Sequence, residues 1–250
     1  EQPPYEVVGP LERFDQRDQV TRRAQLVPGT PGYQAYYAAH PELEKIDNRF
    51  RFYPTKERKQ WKQSAVYRKQ PLTLALSFVE SVASHMTNYM EEPVAAQRIE
   101  MEPHVAAENI KGVARYLGAD LVGICEINPA WVWSHRVRKG GLGEPVELKH
   151  RYAIVVAVGS DFNLTLASRG FSKVIDVESL ERSTKRETVL IRLAEYVRHL
   201  GYPAQAELGT NIGMNVNRES LIIQAVAVDA GLGEVGRPAL LITKKFGAGV

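Results

Sequence analysis

Apolar positions along this chain follow a helical rhythm in some stretches and run almost unbroken in others. Leu72, Ala75, Leu76, Val79, Val82, Ala83 and Met86 recur at helical spacing within residues 71–90, and Pro71 suits a helix's first turn. Ile110, Val113, Ala114 and Leu117 make a second helical stripe after His104, with Glu108, Lys111 and Arg115 on the opposite side and Gly118 placed to end it. Residues 120–127 and 152–158 are instead β-rich and nearly continuous in apolar character, the pattern of strands buried on both faces. Leu190, Leu193, Ala194 and Val197 form a further stripe, closed by Arg198 and His199 in the last turn, then Gly201 and Pro203. Residues 202–207 read as the following strand, 220–230 as a helix ending at Gly231, and 239–243 as a short strand. There is no repeat period, which excludes a solenoid.

Before residue 70 this rhythm is lost. Pro3-Pro4, Gly9-Pro10, Pro28-Gly29 and Pro31-Gly32 break any long periodic element, so residues 1–70 read as an irregular, aromatic-studded wrapping segment ahead of an α+β core over 71–250. Within it, Lys56, Arg58, Lys59, Lys62, Arg68 and Lys69 surround Trp61 and Tyr67. Such a run can contact phosphates with stacked aromatics, but a solvated basic face with two packed aromatics is the simpler reading. The formal net charge of +3 over 250 residues argues neither for nor against a nucleic-acid or membrane partner.

A single cysteine, Cys125, excludes a disulfide framework, a cysteine-rich zinc site and any iron–sulfur cluster held by this chain alone. Leu121 and Ile124 beside it point to an inert, buried thiol. No apolar run reaches the roughly 18 residues a membrane helix needs. The chain starts at Glu1 and stops inside a glycine-rich stretch, so both ends read as cuts and a targeting signal can lie outside it.

Two loops carry candidate chemistry. Trp131, Trp133 and His135 lie between the two buried strands, ahead of a glycine-containing loop from Gly140 to Gly143; aromatics there can roof a cofactor or close the edge of the core. Gly231, Gly233 and Gly236 have the G-x-G-x-x-G spacing of a dinucleotide site, but the expected context is inverted. The fingerprint needs a strand before it and a helix after it, so that a helix amino terminus meets the pyrophosphate, whereas here a helix enters and a strand leaves. The glycines still provide a sharply turning backbone that can approach a large flat ligand. Arg237 beside them can pair with a propionamide or phosphate, or form a surface ion pair. No H-E-x-x-H, G-x-S-x-G or Walker loop is present, and no two of the six histidines share a helical i, i+3 or i, i+4 spacing.

The stretch from Asp229 to Arg237 (DAGLGEVGR), followed by PALLIT and KKFG, resembles the signature of corrinoid-dependent reductive dehalogenases. YEVVGPLERFD from Tyr5, HPELE from His40, YLGADLVGICE from Tyr116, WVWSH from Trp131 and LAEYVRHLGY from Leu193 resemble other parts of the same family, in the same order. Epoxyqueuosine reductase, a more distant relative, shares the glycine signature but less of the amino-terminal part.

This resemblance implies a nitroreductase-like α+β core holding a base-off corrinoid (cobalamin), followed by a ferredoxin-like part with two [4Fe–4S] clusters. It implies a small organohalide as substrate, an electron-donor protein or fused reductase, and a membrane anchor protein as a further partner; cytoplasmic and exported, membrane-associated forms both remain open. The cofactor-binding residues it suggests are Gly231, Gly233, Glu234, Gly236, Arg237, Leu241, Thr243 and Phe246. Asn217 matches a family asparagine near the halide. The family's proton-donating tyrosine, counted back from the Leu193 segment, falls on Ser183, a far weaker acid than a phenol. The family's active-site arginine falls one position past Val250. Another corrinoid-dependent reductase of the epoxyqueuosine type, or a noncatalytic corrinoid-binding module, is the alternative.

Overall fold

The computed structural model describes residues 5–52, 93–137, 143–167, 174–208 and 219–250. At its centre an antiparallel pair, β1 (Leu121–Glu126) and β4 (Tyr152–Ala157), runs in register from Leu121 opposite Ala157 to Glu126 opposite Tyr152. Side chains alternate across a strand, so this short ribbon has two faces to cover. Val122, Ile154 and Val156 pack with Ala114, Val189 and Leu193, from α4 (Pro103–Tyr116) and α6 (Val174–His199), which follows the short α5 (Phe162–Ala167). Cys125, Ala153 and Val155 join Trp133, Val146, Leu221 and Val226 on the other side, under α7 (Ile223–Asp229). The unbroken apolar pattern of both strands thus reflects burial on two faces.

The helix ends follow the expected chemistry. Pro103 occupies the first turn of α4, and Gly118, at φ +114°, closes it: Gly118 N–H donates to Arg115 and Ala119 N–H to Ala114, satisfying carbonyls the helix leaves open. Asp120 N–H then bonds Ala157 and starts the ladder.

Three sequence expectations need correction. Residues 202–208 form no strand: Ala206 and Leu208 pack against Ile191 and Ala194 of α6, and Arg198 Nη1 donates to the Ala204 carbonyl, so a helix and a guanidinium take the place of a neighbouring strand. The helix expected over 220–230 begins only at Ile223, because Leu221 bridges to Val132 and Trp133 N–H bonds the Ser220 carbonyl. Among the described residues of the amino-terminal part, the stretch from 20 to 52 is mostly helical rather than irregular, with α1 (Val20–Arg23), α2 (Pro31–Ala39) and α3 (Pro41–Phe52). Pro31 does not break α2; it starts it, with the Thr30 hydroxyl accepting from Tyr33 N–H. Tyr33, Tyr36 and Tyr37 of α2 then pack with Leu26 and with Val137 of β2 (His135–Val137), which pairs with β3 (Gly143–Pro145). The helix expected over 71–90 and the basic run over 56–69 lie outside the described residues, as does most of the Gly140–Gly143 loop.

Candidate functional site

The glycine loop folds as a hairpin of β5 (Glu234–Val235) and β6 (Leu241–Ile242), with Glu234 opposite Ile242 and Val235 opposite Leu241. A helix leads in and a strand leads out, as the sequence order indicated. Each glycine has a reason within the fold. Gly231, at φ +73°, caps α7, with its N–H on Val228 and that of Leu232 on Ala227. A Cβ at Gly233 would lie 2.2 Å from the Ile242 carbonyl oxygen, and one at Gly236 3.0 Å from the Ile242 side chain. The glycines therefore let the hairpin close on itself.

Beyond β6 the chain turns back. Thr243 is buried; its hydroxyl accepts from Phe246 N–H, and its backbone exchanges hydrogen bonds with Gly247. The Phe246 ring covers Gly159, where a Cβ would sit 2.5 Å away, and Ser160 N–H bonds the Gly249 carbonyl. Gly231, Gly233, Glu234, Gly236, Arg237, Leu241, Thr243 and Phe246 thus form one continuous unit. Glu234 and Arg237 are exposed, and Arg237 has no ion-pair partner among the described residues. Val235, Leu240 and Ile242 are 48%, 49% and 39% exposed, a group of apolar side chains left in solvent on one small hairpin.

Ser183 is placed apart from this unit, half-buried within α6. Its helix neighbours include stronger chemistry than its own hydroxyl. Glu178 is buried: one carboxylate oxygen accepts from Asp161 N–H and lies 3.8 Å from Arg182, while the other has no hydrogen-bond partner among the described residues. Burial lowers the Arg186 pKa, and Glu187 is 2% exposed. A chain of contacts links Glu178 through Asp161 and Ser160 to Gly249, and so to the end of the hairpin unit. Asn217 lies outside the described residues.

The segment directly after Asn217 is anchored by buried polar groups that the sequence reading passed over. Glu219 accepts from Arg22 Nη2 (2.5 Å) and Gln16 Nε2 (3.2 Å), and Gln16 in turn accepts from Val137 N–H. Burial raises the Glu219 pKa against the pull of Arg22. Glu207 accepts from Ser220 N–H at 2.6 Å, and burial pushes its carboxyl up to about 7. Arg136 donates to the Ser220 hydroxyl. Glu219 stands two positions after Asn217, but nothing in its spacing told of partners 197 and 203 positions away.

The aromatic loop closes the core: Trp133 is buried and donates to the Leu221 carbonyl, and Trp131 donates to Asp229. Cys125 donates weakly to the Val226 carbonyl (3.6 Å), and burial pushes its thiol up to about 11, which agrees with an inert role. Among the described residues no group of three or more His, Cys, Asp or Glu could hold a metal ion, and no helix is long and apolar enough to cross a membrane.

No family model matches the chain. Tetrachloroethene reductive dehalogenases of Desulfitobacterium hafniense and Dehalobacter restrictus are 30% identical to it, over 57% of this chain and 30% of theirs. The chain therefore spans about a third of the length of these relatives. Among solved structures, it is similar to the catabolic reductive dehalogenase NpRdhA in complex with 3-bromo-4-hydroxybenzoic acid, with a TM-score of 0.64, 21% identity, and coverage of 95% of this chain and 30% of that one. A reductive dehalogenase whose structure suggests a mechanism for B12-dependent dehalogenation matches with a TM-score of 0.64, 21% identity, and coverage of 95% and 29%. The chain is thus similar in sequence to these reductive dehalogenases over 57% of its length, and similar in fold to solved ones over 95% of it.

Proposed function

We propose that this chain is the corrinoid-binding part of an enzyme that removes halide reductively from a small organohalide. The observation that carries this reading is that the DAGLGEVGR stretch, the chief sequence likeness to that family, folds into one hairpin unit with exposed apolar side chains. Its glycines are used by the fold, so they leave no empty cradle; Leu240 and Ile242 instead offer apolar surface beside Glu234, with Val235 exposed on the hairpin's other face and Arg237 at its turn. That combination suits a flat macrocycle rimmed with amides, which gains from apolar cover on its face and polar partners at its edge. The corrinoid, when bound, supplies the redox chemistry.

The chain's own residues then have defined tasks. Arg237 would pair with a polar group of the cofactor, while Leu241, Thr243 and Phe246 would keep the hairpin and its return turn in place. Asn217 would orient the departing halide through its amide. Ser183 would at most relay a proton, since an unassisted aliphatic hydroxyl is too weak an acid to donate one near neutral pH. Two [4Fe–4S] clusters, an electron donor and any anchor protein belong to the same proposal, with cluster ligands supplied from outside this one-cysteine chain. A nitroreductase-like core over 71–250, with residues 1–70 wrapped on it, completes the proposal.

The test is a titration of the full chain with hydroxocobalamin, reduced anaerobically and followed by absorbance. About one equivalent should bind in the base-off form. Affinity no greater than that of an unrelated protein of similar charge would end the corrinoid reading.

A further inference from the structure

Asp229, the last residue of α7, sits where the helix dipole disfavours a carboxylate. It is held there from two directions. Tyr5 Oη donates to Oδ1 at 2.5 Å, and Trp131 Nε1 donates to Oδ2 at 2.8 Å. The two donors also meet each other edge-on, with ring centroids 6.1 Å apart. Burial and the nearby carboxylate raise the Tyr5 pKa, so the phenol keeps its proton. Asp229 is followed directly by Ala230, whose carbonyl oxygen occupies the space a Cβ on Gly123 would need, at 2.3 Å. The glycine cap and the β5–β6 hairpin come next.

We propose that Asp229 is a positioning residue, which through Tyr5 and Trp131 fastens the amino-terminal segment to the start of the glycine hairpin and so holds the hairpin ready for its ligand. The ligand part of this inference rests on the corrinoid reading above; the fastening does not. On one side the hairpin's start is wedged against β1 at Gly123, and on the other it is tied by the Asp229 carboxylate. Without the tie, one of these two constraints is gone, and the short β5–β6 ladder has little of its own to replace it.

The experiment compares the full chain with Tyr5→Phe and Asp229→Asn. It measures amide hydrogen exchange over residues 232–243 without any ligand, hydroxocobalamin affinity, and the urea midpoint. Tyr5→Phe keeps the ring and removes only the donor, so it remains informative if Asp229→Asn fails to fold. We expect exchange over 232–243 to rise about fivefold or more and cobalamin to bind about five- to tenfold more weakly, at an unchanged urea midpoint. Unchanged exchange over 232–243 in Tyr5→Phe overturns the proposal, whatever happens to affinity. Faster exchange in a chain whose wild type does not bind cobalamin leaves the fastening in place and removes the corrinoid reading instead.

Discussion

The amino-terminal segment and the central ribbon are held by opposite means. From Tyr5 to Arg23 the chain is fixed by polar contacts: Arg13 donates to the carbonyls of Val132, Trp133 and Val146, Gln16 and Arg22 reach Glu219, and Arg23 makes a two-pronged pair with Asp47. Its apolar residues Val7, Val8, Leu11 and Phe14 face solvent. The β1–β4 ribbon is covered on both faces by aliphatic and aromatic side chains. The difference concerns tolerance. Apolar contacts weaken by degrees as atoms are removed, whereas a directed polar contact, once one partner is lost, leaves the other buried without its charge or hydrogen bond.

The largest effect should come from the fully buried Asp47 carboxylate. Arg23→Met should cost about 3–5 kcal/mol in chemical denaturation, because among the described residues only the Tyr37 hydroxyl would remain to bond it. Arg23→Lys should recover little, since an ammonium cannot reproduce a fork that reaches both Asp47 oxygens and the Asp18 carbonyl. At Leu193, 3% exposed in the core, truncation to Ala should cost about 2–3 kcal/mol, but Leu193→Met less than about 1.5. If the conservative exchange proves as harmless at Arg23 as at Leu193, the contrast between the two regions does not hold. A pH-dependent effect of comparable size belongs to Glu207, which holds Ser220 N–H. Folding raises the Glu207 pKa from its ordinary value to about 7, so the group favours the native state below about pH 4.5 and that contribution is lost as pH rises through 7. Stability should fall by up to about 3 kcal/mol across that window, and Glu207→Gln should flatten the profile while keeping an acceptor for Ser220 N–H. An unchanged profile in that variant would assign the pH dependence elsewhere.

Legibility in the sequence followed the range of each interaction. The α4 stripe, its Gly118 cap and the two-faced strands depend on neighbours within a turn or on burial, and both leave a local pattern. Residues 202–207 looked like a strand because extended, half-apolar segments share one signature; whether a strand or α6 lies alongside is decided elsewhere in the chain. Pro31 was ambiguous for a related reason, since proline both ends one element and begins another, and only the Thr30 cap shows which. At the candidate site the hairpin residues were legible through likeness to a family, but their physical cause was not: Gly233 answers to the Ile242 carbonyl. Glu219 and Asp229 gave no local sign of their partners, which lie 98 to 224 positions away.

The bond from Tyr5 to Asp229 spans 224 residues. At a synthesis rate of about 5–20 residues per second, Tyr5 waits roughly 10–45 seconds for its partner to be made. Arg13, Gln16 and Arg22 wait for theirs in the same way. Polar side chains lose nothing during such a delay, because water satisfies them until the carboxylates and carbonyls arrive, while a segment relying on a long apolar strip would be open to the wrong partners throughout. A fastening made of hydrogen bonds therefore suits a part of the chain that is translated early and docked late.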